Sequence, residues 1–397
     1  MEMPHPSQIL WITRQDPRSS DSGELIYSLG LIRALASQPD IRLTVLAHHA
    51  KTSSQGDTSV DWQLHGTIPN SRIRGLASSL PSDAHRLGNP TIRLALRSLL
   101  AKQKWQHFII DQAACAWALD EIPAHSSIIH ISHNHEASVR SQVARDQSGS
   151  LPMKLALRWD AWKYGKMEHR LGNQSSLITA ITPRDADAFA TLHPGKPIIN
   201  LPPGYDRPIP NDGPPPITSD RPRTVVLAGA FEWIAKRRNL TAFLTAAEPA
   251  FRKHDIRFDV VGKADPSWFE KLARQHPWAT FTPNVPSVTP FLENARIGLI
   301  PEALGGGFKL KALDYIFAGL PLAAIHAALS GVPINHLTDA ITADEPAHLA
   351  SRIAERIDDL DFLNRAAQQS FAACRNSFSW QTRGQQLAGA LGYLTPR

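Results

Sequence analysis

Cysteine is scarce in this chain, and long apolar runs are missing from it. The 397 residues include two cysteines, Cys115 and Cys374, which lie far apart in the sequence. Two distant cysteines exclude a disulfide-rich secreted scaffold and are typical of proteins from a reducing compartment. No uninterrupted apolar run reaches the length of about 18 residues that predicts a membrane-spanning helix. We therefore expect a cytoplasmic protein.

The N-terminal stretch MEMPHPSQILWITR also lacks the pattern of a secretory signal peptide, since no basic segment leads into an apolar one. The formal net charge is +6. A basic balance suits nucleotide, phospholipid and nucleic-acid partners equally, so it does not choose among them. The dense acidic run at residues 358–361 is interpreted as a solvated helix end rather than a metal site.

The stretch IGLIPEALGGGFKLKALDYIFAGLPLAAI, residues 297–325, organises the rest of the chain. Residues 297–300 form a short apolar run typical of a buried strand, and three glycines then interrupt the pattern. Apolar residues recur at helical spacing from Phe308 until Gly319 and Pro321 end the helix, and a second apolar run follows. Strand, glycine loop, helix and strand together predict one unit of a parallel α/β sheet.

The glycine loop of this unit carries two cations beside it. The pattern places Lys309 and Lys311 in the first turn of the predicted helix, where cations oppose the helix dipole. A negative ligand in the loop would relieve that conflict, and backbone N–H groups of Gly305, Gly306 and Gly307 would bind it. The stretch therefore predicts a phosphate or diphosphate site.

The same stretch resembles the donor-binding segment of GT-B glycosyltransferases, in particular the triple-glycine subgroup of the retaining family called family four or group 1. Phe378-Ser379-Trp380 resembles a signature near the family's C-terminus, and residues 202–206, PPGYD, resemble the end of its N-terminal domain. The resemblance covers nearly the whole chain. It implies an α/β architecture of two Rossmann-like doubly wound domains that face a cleft.

The resemblance and the composition of the chain give expected domain boundaries. Residues 1–205 would be the acceptor domain, residues 206–222 a proline-rich linker, and residues 223–380 the nucleotide-sugar donor domain. Residues 381–397 would form a C-terminal helix that packs back towards the N-terminal domain. Within these domains the pattern predicts a loop over residues 69–89 and a helix over residues 240–251.

The resemblance implies a retaining, metal-independent hexosyltransferase that needs no cofactor. It would move a sugar from a UDP- or GDP-sugar to a glycan, lipid-linked or small-molecule acceptor, in cell-envelope, exopolysaccharide or glycoconjugate synthesis. No nucleic-acid partner is expected. Two alternatives stay open, a catalytically silent GT-B subunit and a sugar-nucleotide epimerase.

A histidine follows the predicted strand at residues 127–132. His133-Asn134-His135-Glu136 resembles the family's His-Asn-x-Glu, which implies that His133 is an active-site residue. The residues themselves leave two alternatives, a metal site that includes His130 and a loop histidine without a role. The resemblance gives His133, Lys309 and Lys311 as catalytic residues. The donor-binding residues that it gives are Gly23, Gly229, Lys236, Arg237, Gly305, Gly306, Gly307, Phe308 and Asp314.

Four positions of the chain depart from the family pattern. Residues 21–24, DSGE, lack the second glycine of the family's Asp-Ser-Gly-Gly. Ala230 stands where the family has an arginine, and Lys236, Arg237 and Arg238 follow as substitutes. Asp314 stands where a glutamate holds the ribose hydroxyls, and Gly306 stands where another glutamate is common. Glu302 is a candidate replacement for that second glutamate.

A long helix is predicted over residues 153–172. It has a broad apolar face, and five cations lie along it. Such a helix covers a sheet or binds a membrane surface or a lipid-linked acceptor. The apolar face consists of Leu155, Trp159, Trp162, Met167 and Leu171.

Overall fold

Two parallel β-sheets, each with its own helices, make up the chain. The computed structural model describes residues 6–19, 22–50, 58–71, 75, 77–145, 150–303 and 305–394. The first unit comprises Met1–Gly204 and Ser379–Arg397, and the second comprises Tyr205–Phe378.

The sheet of the first unit has seven parallel strands within the described residues, in the order β3-β2-β1-β4-β5-β6-β7. The order reverses between β1 and β4, which is where doubly wound sheets place their ligands. Ile9, Leu10, Trp11 and Ile12 of β1 are fully buried, because helices cover both faces of a parallel sheet. The strands are β1 (Ser7–Gln15), β2 (Ile41–His48), β3 (Asp61–Leu64), β4 (His107–Asp111), β5 (Ser127–Ile131), β6 (Leu177–Ala180) and β7 (Ile198–Asn200).

Two helices of the first unit begin at a side-chain cap. The Asn89 side chain accepts from two backbone N–H groups at the start of α3, and the Thr182 side chain caps α6. A 3₁₀ segment, Ala113–Asp120, follows β4. The helices are α1 (Gly23–Ala36), α2 (Ser82–Leu87), α3 (Pro90–Lys102), α4 (Glu136–Arg145), α5 (Leu151–Gln174) and α6 (Pro183–Leu192).

The last helix of the chain, Trp380–Leu394, packs against α1 of the first unit. A Cβ atom on Gly384 would lie 2.2 Å from the carbonyl oxygen of Ala34, so only glycine permits this approach. Gly30 and Gly204 leave similar room for the indole of Trp380. The helix is therefore fitted closely to the N-terminal part of its unit.

The second unit has six parallel strands within the described residues, in the order β10-β9-β8-β11-β12-β13. They are β8 (Thr224–Ala230), β9 (Arg257–Lys263), β10 (Ala279–Pro283), β11 (Ile297–Ile300), β12 (Leu322–Ile325) and β13 (Ala340–Ala343). The helices are α7 (Ile234–Lys253), α8 (Pro266–Gln275), α9 (Thr289–Glu293), α10 (Lys311–Phe317), α11 (Pro346–Arg356) and α12 (Leu360–Cys374). Short 3₁₀ segments occur at Pro17–Ser19 and His326–Leu329.

Two predicted helix starts and one predicted loop are wrong. Helix α7 begins at Ile234 rather than residue 240, because its buried face continues back to Ala235 beneath a basic outer surface. Helix α10 begins at Lys311 rather than Phe308. The segment predicted as a loop contains α2, whose Ser82 N–H donates to the distant Asp160 side chain, a contact that no local pattern shows.

The acidic run at residues 358–361 lies at the start of α12. The Asp359 side chain accepts from the Phe362 N–H as the helix cap. Asp358 pairs with Arg223 and Arg296, each at 2.9 Å. The run is therefore a helix end held by cations, as the sequence indicates.

Candidate active site

Part of the candidate residues of the second unit meet where β8 and β11 end. These strands are neighbours in the sheet, and their carboxyl ends lie at the same edge. A Cβ atom on Gly229, next to the last residue of β8, would lie 3.5 Å from Nζ of Lys311. Glu302 follows β11 by two residues. We call Glu302, Lys236, Lys309 and Lys311 the lysine cluster.

Glu302 and Lys311 form a buried ion pair. Nζ of Lys311 lies 2.5 Å from Oε1 of Glu302, which is 7% exposed. Burial acts to raise the pKa of this carboxyl, but Lys311, Lys309 and Lys236 outweigh burial and hold the pKa below its usual value. The second oxygen, Oε2, is buried and has no hydrogen-bond partner among the described residues. Glu302 is therefore an ionised carboxylate with unused acceptor capacity.

Lys309 turns towards the glycine loop. Its ammonium donates to the carbonyl oxygens of Gly306 and Gly307. Gly305 and Gly307 have φ values of +110° and +69°, which side-chain-bearing residues rarely adopt. Helix α10 has only seven residues and starts at Lys311, so Lys309 lies in the loop before it. The predicted phosphate site is therefore a cationic loop and not a helix N-terminus.

Of the basic residues predicted at the start of α7, Lys236 acts on Glu302 electrostatically and helps to lower the pKa of that carboxyl. Nε of Arg237 donates to the carbonyl oxygen of Phe231 at 2.7 Å, and its guanidinium lies 4.8 Å from the centroid of the Trp268 ring. Arg237 therefore has a packing role in this structure.

Two further donor-side predictions lie beyond the cluster. Oδ1 of Asp314 accepts from the hydroxyl of Tyr205 at 3.2 Å and pairs with Arg207 at 2.9 Å. Burial raises the pKa of Asp314 in spite of Arg207. The ring of Phe308 packs on that of Phe378, with centroids 5.4 Å apart.

The first unit contains a buried network around His133, which lies just past β5. Nε2 of His133 lies 2.7 Å from Oδ1 of Asp111, the last residue of β4. Nε1 of Trp11 donates to the other oxygen of Asp111 at 3.0 Å. Burial acts to raise the pKa of Asp111, but His133, Ser28 and Trp11 hold it below its usual value.

This network sets the tautomer of His133. An ionised carboxylate only accepts hydrogen bonds, so Nε2 of His133 carries a proton. Nδ1 is buried and has no partner among the described residues, and it is an acceptor in the neutral ring. Tyr27 packs edge-on against the imidazole at 5.0 Å and donates its hydroxyl to the Leu201 carbonyl oxygen. The ring is therefore held with Nδ1 unpaired within the described residues.

The side chains of the alternative metal site point to different partners. His130 lies within β5 and packs on Phe189, and burial lowers its pKa to about 3. Nδ1 of His135 lies 2.6 Å from the Ser138 hydroxyl. Glu136 pairs with Arg140 at 2.9 Å. In the part of the chain that the structure describes, no group of three or more His, Cys, Asp or Glu residues is placed to hold a metal ion.

Two carboxylates that sequence reasoning missed hold the His133 loop. Glu168 of α5 accepts from the backbone N–H groups of Glu136 at 2.9 Å and Ala137 at 2.8 Å. Asp185 accepts from the His135 N–H at 3.2 Å. Burial is the main cause that raises the pKa of Glu168 to about 8. The helical pattern offered a signal, since Glu168 stands on the same face of α5 as the buried residues Tyr164 and Leu171.

Gly23 is the first residue of α1, after Ser22 at the cap position. Glu24 pairs with Arg14 at 2.6 Å. The preceding Asp21 lies outside the described residues. Gly23 belongs to the first unit and follows the carboxyl end of β1.

Residues 222–359 match the family model described as glycosyl transferases group 1. A search of curated proteins gives no significant match. Among solved structures, sucrose-phosphate synthase from Thermosynechococcus elongatus is 15% identical with a TM-score of 0.70, and the match covers 98% of this chain and 99% of that one.

Two further solved structures show the same likeness. The trehalose-phosphate synthase (UDP-forming) from Burkholderia vietnamiensis is 12% identical with a TM-score of 0.65, over 98% of each chain. Alr3699/HepE from Anabaena, solved with UDP and glucose, is 13% identical with a TM-score of 0.63, over 98% of this chain and all of that one. At these identities the likeness shows the fold, which is GT-B. The predicted fold class is confirmed.

Proposed function

We propose that this chain, a GT-B protein with a group 1 glycosyl transferase match, transfers a sugar from a nucleoside-diphosphate sugar to a hydroxyl acceptor. The observation that carries the proposal is the lysine cluster. Lys311 pairs with the Glu302 carboxylate, and Lys309 and Lys236 act on it electrostatically, so the cluster has surplus positive charge at the end of two parallel strands. A diphosphate, with one negative charge on each phosphate, complements that surplus.

The cluster would also stabilise the leaving group. Charge develops on the diphosphate as the sugar departs, and cations fixed in position before the reaction stabilise that charge most effectively. Lys311 is held by Glu302 and Lys309 by two loop carbonyls, so both ammonium groups are already oriented. This arrangement supports catalysis without a divalent metal.

His133 supplies a different kind of contact. With the proton on Nε2, Nδ1 of this ring would accept a hydrogen bond from a substrate hydroxyl, while the bond to Asp111 holds the ring in place. A positioned acceptor of this kind orients a hydroxyl in the transition state. We propose retention of anomeric configuration through front-face displacement. The resemblance of the 297–325 stretch to the triple-glycine subgroup supports this choice.

The donor, acceptor and location are further parts of the proposal. The Anabaena relative was solved with UDP and glucose, so a UDP-linked hexose is the first donor to test. The acceptor would be a glycan, a lipid-linked sugar or a small molecule of cell-envelope, exopolysaccharide or glycoconjugate synthesis. We place the enzyme in the cytoplasm, peripheral at the inner face of the membrane. No helix among the described residues is long and apolar enough to cross a membrane.

Donor binding and donor hydrolysis test the proposal together. A panel of sugar nucleotides is screened by thermal shift, since a bound donor raises the melting temperature in proportion to the logarithm of its concentration. The best donor is then supplied radiolabelled, and slow release of free sugar is measured. No thermal shift with any sugar nucleotide would contradict the proposal. Donor binding without hydrolysis would favour the alternative, a catalytically silent GT-B subunit.

A further inference from the structure

Helix α5 exposes an unusual number of large apolar side chains. Its inward face is buried in the first unit through Ala161, Tyr164, Met167 and Leu171. Its solvent side nevertheless carries Leu151, Leu155, Trp159 and Trp162, which are 69%, 56%, 48% and 49% exposed. An isolated exposed leucine needs no explanation, but four such residues on one helix do.

The four residues form a continuous stripe. Their spacing of four, four and three residues keeps them on one side of a helix. The stripe extends over eleven steps along the helix, or about 16 Å at the helical rise of about 1.5 Å per residue. The indoles of Trp159 and Trp162 stack on each other, with ring centroids 4.7 Å apart and planes at 17°. We call this stripe the outer face of α5.

Cations border the outer face, and exposed carboxylates are missing from the helix. Arg158 and Lys166 are exposed, and the ammonium of Lys166 lies 4.0 Å from the centroid of the Trp162 ring. The acidic residues of α5 are turned away, since Asp160 accepts from the Ser82 N–H and Glu168 is buried under α4. The outer face is therefore apolar with a positive border.

We propose that the outer face of α5 docks on a lipid bilayer that contains anionic phospholipids. Aliphatic and indole side chains enter the boundary between headgroups and acyl chains, while basic residues at the border pair with lipid phosphates. An apolar protein partner would satisfy the stripe but would leave the positive border without a counterpart. The inference rests on the proposed function only for its purpose, which is to bring the enzyme to a lipid-linked acceptor.

Vesicle sedimentation tests the docking directly. The purified full chain is centrifuged with vesicles of phosphatidylcholine alone or of phosphatidylcholine mixed with phosphatidylglycerol. We expect binding to the anionic vesicles, and we expect added salt to weaken it. The double variant Trp159→Ala/Trp162→Ala should lower the partition coefficient about tenfold or more, since it removes both indoles. The variant Arg158→Glu/Lys166→Glu should lower it about tenfold by charge reversal.

Matched controls come from α3 of the same unit. Leu94→Ala removes another highly exposed apolar side chain, and Lys102→Glu reverses another exposed charge. Both controls should bind anionic vesicles as the unmodified chain does. Absence of vesicle binding by the unmodified chain, or unchanged binding in both double variants, would overturn the inference. A concentration-dependent dimer that Trp159→Ala/Trp162→Ala dissociates would also overturn it, because a second copy would then cover the face.

The outcome is separable from the outcome for the proposed function. Donor hydrolysis in lipid-free buffer should be the same in Trp159→Ala/Trp162→Ala as in the unmodified chain, since neither indole belongs to the lysine cluster or the His133 network. Vesicle binding without any donor hydrolysis would support the outer face and contradict the transferase. Hydrolysis without vesicle binding would do the reverse.

Discussion

The lysine cluster of the second unit and the His133 network of the first differ in their charge and in how their residues are brought together. The cluster concentrates cations around one carboxylate, and three of its four members lie within ten residues of each other in sequence. The network holds an imidazole against a buried carboxylate and an aromatic ring, using residues as distant as Trp11 and His133. A diphosphate needs charge, whereas a hydroxyl needs a fixed direction.

The two sites also differ in what ligand binding must change. Lys311 is already paired with Glu302, so a diphosphate would share or replace an internal partner. Nδ1 of His133 has no partner in the described part of the chain, so a hydroxyl would add a contact without breaking one. Substitutions in the second unit should therefore affect stability and activity together, and those around His133 should separate more cleanly.

The largest expected effect comes from Lys311→Ala. Loss of a cation that stabilises developing phosphate charge should lower the rate of transfer about 10²- to 10³-fold. The variant also leaves the buried Glu302 carboxylate without its partner, which should cost about 3 kcal/mol in the free energy of unfolding. Turnover and urea denaturation of the purified variant measure the two effects.

The double variant Lys311→Ala/Glu302→Gln separates them. A neutral amide at residue 302 no longer needs a cation, so stability should return while activity stays low. Recovery of activity along with stability would show that Lys311 acts only by holding Glu302. In that case the lysine cluster would not act through its positive charge, and it would no longer differ from the His133 network in this respect.

His133→Ala should lower the rate about 10²-fold, the typical effect of a positioned hydrogen-bonding group. His133→Gln keeps one donor towards Asp111 and one acceptor, so it should recover part of the rate. Single-turnover kinetics with saturating donor measure the chemical step. If the folded His133→Ala enzyme kept full kcat/KM for both substrates, His133 would have no place in the site.

A smaller effect is expected from Glu168→Gln, and it should depend on pH. The folded chain holds the pKa of Glu168 at about 8, above the usual value of 4.5. The folded state therefore binds a proton that the unfolded state releases, and stability falls as pH rises through this window. Glutamine does not titrate, so the variant should lose less stability than the unmodified chain between about pH 5 and pH 8.

We would measure melting temperatures across that pH range for the unmodified chain and for Glu168→Gln. They test whether stability falls with rising pH and whether it falls less in the variant. Glu355→Gln, the same change at an exposed position of α11, is the matched control and should leave the pH dependence unaltered. Identical pH profiles for the unmodified chain and Glu168→Gln would mean that burial does not shift this carboxyl. Activity of the variant should drop only a few-fold, since Asp185 still holds the His135 N–H.

The smallest effect is expected from removing divalent metals. The lysine cluster supplies the positive charge that a metal would otherwise provide, so EDTA should leave the rate unchanged. Activity assays with EDTA and with added Mg²⁺ or Mn²⁺ test this. Loss of activity in EDTA, with recovery on adding metal, would assign the diphosphate charge to a metal and not to the lysines.

Much of the fold could be predicted because its strands are local apolar runs. The predicted strand at residues 127–132 coincides with β5 except for its last residue, and the glycine loop at residues 305–307 lies between β11 and α10, as expected. Candidate residues close together in sequence, such as Lys309 and Lys311, could also be found. Their roles in binding and catalysis stay predictions.

The partners of those residues could not be predicted, because they come from other strands and helices. Asp111 and His133 meet only because β4 and β5 pair in register, and Trp11 reaches Asp111 because β1 pairs with β4 on its other side. Glu168 reaches the start of α4 only because α5 packs beside it. A sequence pattern shows that a position is buried or polar, but it does not show which buried polar group faces it.

The helix Trp380–Leu394 has a consequence for the order of folding during synthesis. It belongs to the first unit, yet the ribosome completes it after the whole second unit. Until then α1 lacks the contact at Gly384, and the carbonyl oxygen of Pro202 lacks the Nε donor of Arg383, which reaches it at 2.9 Å in the complete chain. During synthesis the second unit is therefore complete before the first. The N-terminal part of the first unit lacks the packing of the last helix until that helix has been made.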